Sequence, residues 1–304
     1  DFINKLVKVH PLEKNQTVLV VGHNAILRCL IIELLGRPEH TFRKLRLENA
    51  SLCVLNLIPS NKEPYKVQIE CLNSTAHLSK TLPSQGVARR IILVRHGETD
   101  WNREGRFQGQ IDIPLNTNGL VQASAARDFL KDVKIGKAFS SSMKRPTQTA
   151  NKILESHSQI NLELKNGLVE IGHGLWEGKL EKEIHQKWPE LLDKWKDSPE
   201  KVQMPEGETI QDVWERSVES FESISTNLPS EGTALVVAHD AVNKTIICHL
   251  LGLKHADIWM IKQGNGGVTL IDIPQDSSQP MVITCLNLTS HLGGLLDCTA
   301  AGAL

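Results

Sequence analysis

A three-layer α/β/α sandwich around a mostly parallel sheet is the fold this sequence predicts, on three observations. Short, wholly apolar runs rich in β-branched residues alternate with helical stretches along the 304 residues, the pattern of strands buried on both faces. A strand–helix–strand unit, which suits a parallel sheet, occurs twice. Two histidines, His96 and His239, each stand where such a run ends, and open α/β sheets bind ligands beyond the carboxyl ends of their strands.

The repeat comes first, because it sets the domain plan. Residues 17–57 align with 233–273 without a gap at an offset of 216. Matched positions include Leu19/Leu235, Val20/Val236, His23/His239, Ala25/Ala241, Gly36/Gly252 and Asn49/Asn265. After a two-residue shift, CLNSTAHL (71–78) matches CLNLTSHL (285–292). In the first copy Leu19–Val21 is expected to be a strand, followed by a helix ending at Gly36 and a strand over 51–57. In the second copy the same elements fall at 233–238, at 241–251 before Gly252, and at 267–273. Glycine just past a helix is a C-terminal signal.

Between the copies, TLPSQGVA (81–88) has Pro, Ser and Gly and no periodicity, as in a linker. A strand over 90–95 follows, then a helix over 117–131 with Thr at its start. The apolar face of that helix is expected at Leu120, Ala123, Ala126 and Leu130. A strand at 137–141, a helix at 144–155 and helices near 180–188 and 208–227 complete the series. Nothing before residue 80 matches the RHGE segment at 95–98. The organisation read from this is a catalytically incomplete C-terminal fragment of a first domain (1–80), a linker (81–88), a complete unit (89–292) and a tail (293–304). The first residues, Asp1 and Phe2, with no signal peptide, read as a truncated or processed start.

Composition excludes several classes of function. Net charge is −1, so no general basic field exists for nucleic acid or anionic lipid. Residues 1–80 carry net +4 and the remainder net −5, and all six tryptophans lie beyond residue 100. No apolar run approaches the ~18 residues of a membrane span. The six cysteines are widely spaced, without a C-x-x-C pair, which suits a reducing cytoplasm better than a zinc site or disulfide scaffold. No third metal-like ligand accompanies His96 and His239, so no metal and no cofactor is expected.

The neighbours of the two histidines point to phosphate. Arg95 precedes His96, Asn102 follows in the next loop, and Arg145 opens a helix after Ser140–Ser142. A guanidinium fork matches phosphate oxygens, and helix N-termini add backbone N–H donors. RHGETDWNREGRFQGQIDIPLNTNG (95–119) resembles the signature of the histidine phosphatase superfamily, the phosphoglycerate-mutase-like proteins. SSSMKRPTQTA (140–150), LVEIGHGLWEGK (168–179) and LVVAHDAVN (235–243) resemble its later motifs, in order. The layout resembles the two-domain cyanobacterial and plant members.

The resemblance implies a phosphoglycerate-mutase-like fold and a role for each residue. His96 is the nucleophile that carries the phosphoryl group. Arg95, Arg145 and His239 bind its oxygens, with help from Asn102. Glu170 protonates the leaving alcohol and then deprotonates water. Gln108 and Gly109 shape the phosphate loop. Glu98 and Glu177 are read as hydrogen-bonding loop residues, and Trp176, Trp188 and Trp195 as the packing of a helical cover. Asp240 stands where much of the family has Gly, and is expected to cap the helix that follows, a contact to substrate being the other reading. Mutases of the family carry a longer insertion after the second arginine motif, and here only 25 positions separate Arg145 from Glu170. The expectation is a metal-independent phosphomonoesterase acting on a small phosphorylated metabolite, such as phosphoserine, a sugar-acid phosphate or α-ribazole phosphate. A phosphoglycerate mutase and a non-catalytic phosphate-binding module are the alternatives. No nucleic-acid or membrane partner is expected, and a homodimer is left open.

Overall fold

The computed structural model describes every residue except 1, 13–15, 37–40, 61–63, 79–81, 86–87, 230–231 and 300–304. Thr81, Gly86 and Val87 of the expected linker and 300–304 of the expected tail therefore lie outside the described residues. In chain order come α1 (Phe2–Val9), α2 (Asn24–Leu34), β1 (Leu52–Ile58), β2 (Lys66–Ser74), β3 (Arg89–Arg95) and α3 (Asp100–Glu104). Next are α4 (Thr117–Leu130), β4 (Lys137–Ser141), α5 (Lys144–Leu154), β5 (Leu162–Lys165), α6 (Glu181–Lys187), α7 (Pro189–Asp197) and α8 (Ile210–Thr226). Then β6 (Thr233–Ala238), α9 (Asp240–Leu251), β7 (Val268–Ile273) and β8 (Val282–Leu288) close the series.

The eight strands form one sheet in the order β1-β2-β8-β7-β3-β6-β4-β5. Pairing is parallel from β3 through β6 and β4 to β5. It is antiparallel from β3 through β7, β8 and β2 to β1. The sheet is therefore mixed, with its parallel half where the alternating strands and helices predict it. Helices α4 and α5 pack on one face, against Ile92, Val94, Leu235 and Val237. Helices α8 and α9 pack on the other, against Ile91, Leu93, Ala234 and Val236. Consecutive side chains of a strand point to opposite faces, so Ile91–Val94 of β3 and Ala234–Ala238 of β6, covered on both, are all apolar. No helix among the described residues is long and apolar enough to cross a membrane.

Two local expectations need correction. Helix α4 is capped by Asn116, whose side chain accepts from Gly119 N at 2.8 Å, rather than by Thr117. Its buried face carries Gln122 alongside Ala123, Ala126 and Leu130, while Leu120 is exposed.

A larger correction concerns the first copy. Leu19–Val21 is not a strand, and Leu19 and Val21 are 79% and 85% exposed. The equivalent β6 lies between β3 and β4; among the described residues no strand lies beside Leu19–Val21 to pair its backbone or cover its side chains. The second half of that copy fares differently. β2 lies antiparallel on β8 with Leu72 opposite Leu286, and these are equivalent residues of the two copies. The pair is pseudo-symmetric. Asn73 Nδ2 donates to Thr284 O at 2.6 Å, and Asn287 Nδ2 donates to Glu70 O at 2.8 Å. Asn73 Oδ1 accepts from Glu48 N at 2.6 Å, and Asn287 Oδ1 from Gly264 N at 2.8 Å. Bridges Leu45↔Ile283 and Ile69↔Ile261 repeat the relation. Both asparagines hold a left-handed backbone, φ 57° and 50°, which Asn tolerates better than other side chains.

Candidate active site

The pairing of β3 with β6 puts Arg95 opposite Ala238, and His96 N donates to Ala238 O at 3.1 Å. Both histidines thus leave the sheet at one rim, as their positions at strand ends predict. Their ring centroids are 5.2 Å apart at an interplanar angle of 69°, and both are buried. Gly97 explains the tight turn after His96. A Cβ there would stand 2.5 Å from Gly119 O at the start of α4, so only Gly lets the loop pass.

His96 is held in one tautomer. Its Nδ1–H donates to Gly97 O at 2.7 Å, and Arg145 Nε donates to its Nε2 at 3.1 Å. Burial, then Arg145 and Arg95, keep its pKa well below the ordinary imidazole value, so the ring is neutral at neutral pH. A neutral imidazole with one nitrogen anchored offers the other as a nucleophile. His239 is likewise held neutral by burial, then by Arg145 and His96, and its Nε2 lies 2.9 Å from Ser141 Oγ at the end of β4.

Arg145, at the start of α5, is wholly buried and donates from Nη2 to Gly109 O at 2.8 Å. Burial lowers its pKa to about 10, which leaves it charged at neutral pH. Arg95 donates from Nη1 to Gln263 O and lies 3.6 Å from Asp240. Asn102 Oδ1 accepts from Thr99 N at 3.1 Å and from Asn265 Nδ2 at 3.3 Å, which leaves its amide N–H₂ as the end for an anion. Gln108 Oε1 accepts from Thr99 Oγ1 at 2.9 Å. Arg95 Nε, Gln108 Nε2 and His239 Nδ1 are buried without a hydrogen-bond partner among the described residues. Buried donors of this kind are costly unless something accepts from them, and a phosphate oxygen would.

Gly109 is required by Glu177. A Cβ at Gly109 would stand 2.2 Å from the Glu177 carboxylate, which accepts from Gln110 N at 2.8 Å and Ile111 N at 2.7 Å. Glu98 accepts from Arg103, Asn116 and Asn118. Burial raises its pKa, but those donors outweigh this and hold it below the usual carboxylate value. Both glutamates are loop anchors, as the sequence suggests.

Glu170 is different. It is buried, its Oε1 accepts from Ile171 N at 3.0 Å, and its Oε2 accepts from Asp240 N at 3.1 Å. Burial and the nearby Asp240 raise its pKa against the pull of Arg145 and Arg95. A carboxyl with raised pKa beside two guanidinium groups suits an acid–base role.

Asp240 does not cap α9. His239 occupies the cap position, and Asp240 is the first helical residue. Its carboxylate is 2.6 Å from Lys244 Nζ, one turn on, as well as 3.6 Å from Arg95. Three features escape sequence reasoning. Lys244 is one. The second is Arg216 of α8, which grips Glu208 and the carbonyls of Val169 and Glu170. The third is the Gln263–Asn265 segment that seats Arg95 and His96. The last two act across the fold, where no local spacing marks them, whereas Lys244 stands one helical turn from Asp240, a spacing the sequence does show. Trp176 and Trp195 are buried edge-to-face, with Phe107, His173 and Trp259 around them, the expected helical cover. Among the described residues no group of three or more His, Cys, Asp or Glu is placed to hold a metal ion.

Comparisons with known proteins agree with this geometry. The family model for the histidine phosphatase superfamily (branch 1) matches residues 1–69 and 91–285. The chain is 33% identical over 206 residues to phosphoserine phosphatase 1 of Hydrogenobacter thermophilus, covering 67% of this chain and 94% of that protein. It is 25% identical over 303 residues to the 2-carboxy-D-arabinitol-1-phosphatase of Triticum aestivum, covering 92% of this chain but 59% of that longer one. Bacillus stearothermophilus YhfR superposes with a TM-score of 0.63 at 30% identity, covering 67% of this chain and 100% of that structure. The motif order, the two rim histidines and the matches over both copies of the repeat agree: the chain belongs to the histidine phosphatase superfamily.

Proposed function

We propose that this chain is a metal-independent phosphomonoesterase that works through a phosphohistidine on His96. The observation that carries this reading is the state of His96: neutral, Nδ1–H tied to Gly97 O, and Nε2 facing Arg145. Nε2 attacks phosphorus, and the P–O bond to the alcohol breaks. Glu170, protonated at the start, gives its proton to the leaving oxygen. Glu170 then takes a proton from water as that water attacks phosphorus. The P–N bond breaks, phosphate leaves, and both residues return to their starting states. Arg95, Arg145, His239 and Asn102 meet the charge on the phosphoryl oxygens. Fixed cations and N–H donors of this kind supply the largest share of phosphoryl-transfer catalysis, here in the place a metal ion takes elsewhere.

Hydrolysis is favoured over mutase chemistry by what lies between Arg145 and Glu170. That stretch holds the rest of α5, the short β5 and a 3₁₀ turn, with no insertion to close the site against water. The substrate proposed is a small phosphorylated metabolite, with phosphoserine and sugar-acid phosphates the first to try, given the named relatives. Residues 1–80 are proposed to be catalytically silent and 89–292 to carry the reaction. The deciding assay is release of phosphate from p-nitrophenyl phosphate and phosphoserine in the presence of EDTA. Turnover that survives EDTA is expected. Absence of turnover sinks the phosphatase reading, and turnover lost to EDTA sinks its metal-free form.

A further inference from the structure

The segment 262–267 wraps the end of β3. Gly266 N donates to Arg95 O at 3.1 Å and His96 O at 3.2 Å, and Arg95 N donates to Gly267 O at 3.2 Å. Gln263 O receives the Arg95 guanidinium, and Asn265 Nδ2 reaches His96 O at 3.2 Å. This segment therefore aims Arg95 and His96.

The other side of the same segment is held by the first repeat. Lys262 N donates to Ile69 O at 2.9 Å, and Lys262 Nζ lies 3.4 Å from Glu70 Oε2. Glu70 Oε1 accepts from Asp297 N at 2.9 Å, and Lys262 also lies 3.8 Å from Asp297. Glu70 O accepts from Asn287, which in turn accepts from Gly264 N. The Glu70 side chain is buried and fixed by Asn56 Nδ2 at 2.9 Å. Burial raises its pKa, but Asn56, the Asp297 N–H and Lys262 together bring it below the ordinary value, so it is ionised at neutral pH.

The pseudo-symmetric half of the interface lacks this link. There Arg46 N donates to Ile283 O at 3.2 Å, and Asn73 holds Glu48 N. The position equivalent to Glu70 is Thr284, which bonds within its own unit to Asp272 at 2.8 Å. The two halves are alike in backbone pairing, and only one of them leads to the rim histidines.

We propose that the first repeat serves as a built-in second subunit that holds the 262–267 segment in place, with Glu70 a positioning residue for phosphate binding by Arg95. The proposal rests on the reading of Arg95 as a phosphate ligand. Arg95 meets the phosphoryl group before and during its transfer, so loosening its seat weakens binding uniformly and raises KM more than it lowers kcat.

The test uses the full chain, p-nitrophenyl phosphate as substrate and orthophosphate as inhibitor. Glu70→Gln is expected to raise KM and the inhibition constant of orthophosphate together, by roughly 3- to 30-fold, with kcat within about twofold. Glu70→Asp should restore part of the affinity. Lys262→Gln, made from the other side of the pair, should reproduce the effect, and the double variant should add little to either single one. Asn73→Gly loosens the mirrored half and should lower the melting temperature without altering either constant. An unchanged inhibition constant in both Glu70→Gln and Lys262→Gln overturns the proposal. So does an equal loss of phosphate affinity in Asn73→Gly, which would mark general loosening. A wild type that neither hydrolyses the ester nor is inhibited by phosphate overturns the reading of the site itself, and the proposal with it.

Discussion

Residues 17–23 and 233–239 share sequence and differ in almost everything else. In the second copy the run is β6, buried on both faces between two parallel strands, and its histidine lies 5.2 Å from the partner ring. In the first copy the run has no regular structure, and His23 is exposed. An apolar β-branched run is thus a strand only where neighbours take its N–H and C=O groups. Around His239, in turn, burial and neighbouring guanidinium groups hold the imidazole neutral. The same contrast runs inside the first copy. Its β1–β2 half has a partner in β8 and is ordered against it, whereas its 17–26 half exposes Leu19, Val21 and Ile26.

Substitutions can break or sharpen this contrast. The largest effect is expected at the rim histidine His96, set against His23 of the first copy. His96→Ala should reduce p-nitrophenyl phosphate turnover by about 10⁴-fold or more, the loss expected of a nucleophile, while His23→Ala stays at the wild-type rate. An inactive but folded His23→Ala variant would show that the first copy takes part in the chemistry. Next, Glu170→Gln should slow turnover by roughly 10²–10⁴-fold while orthophosphate still inhibits. An unchanged rate would move the acid role elsewhere.

Stability should separate the two halves of the first copy. Ile69 is fully buried at the junction of β2 with Ile261, and Ile26 is 66% exposed. Ile69→Ala should cost about 2–5 kcal/mol in denaturant unfolding, and Ile26→Ala should stay within about 0.5 kcal/mol. Equal costs would mean that the exposed half is covered in solution.

The smallest effect is a shift in pH dependence. Glu170 must be protonated to donate, so activity should fall as pH rises through its raised pKa. On the acid side activity should fall only where His96 protonates, well below the ordinary imidazole range. Asp240 is one cause of the raised value, after burial. Asp240→Asn removes that negative charge, which lowers the Glu170 pKa. The alkaline limb of kcat/KM should therefore move to lower pH. A limb that stays in place would take Glu170 out of that titration.

Much of this was legible in the sequence, for identifiable reasons. The centres of β3 and β6, Ile91–Val94 and Ala234–Ala238, are buried on both faces and so are continuously apolar, which marks them plainly. The catalytic-site candidates follow strand ends and helix starts, where polar residues interrupt apolar runs. β5 was not legible: LELK is a short, charged edge strand, and edges are blunted in this way to prevent pairing. Asp240 departs from the expected cap because its carboxylate turns to Lys244, one helical turn away, and to Arg95, brought close only by the sheet. The failure of Leu19–Val21 was invisible for the opposite reason. Its local pattern is that of a good strand, and among the described residues no strand lies beside it.

The Leu72–Leu286 contact has a consequence for how this chain can change. In a dimer of identical subunits, the residues on the twofold axis are one gene position, and every substitution there is made twice. Here the two leucines are separate positions, as are Asn73 and Asn287, or Glu70 and Thr284. Each half of the junction is free to alter alone. A substitution in one half need not be matched in the other, so each can be kept for what it supports across the junction.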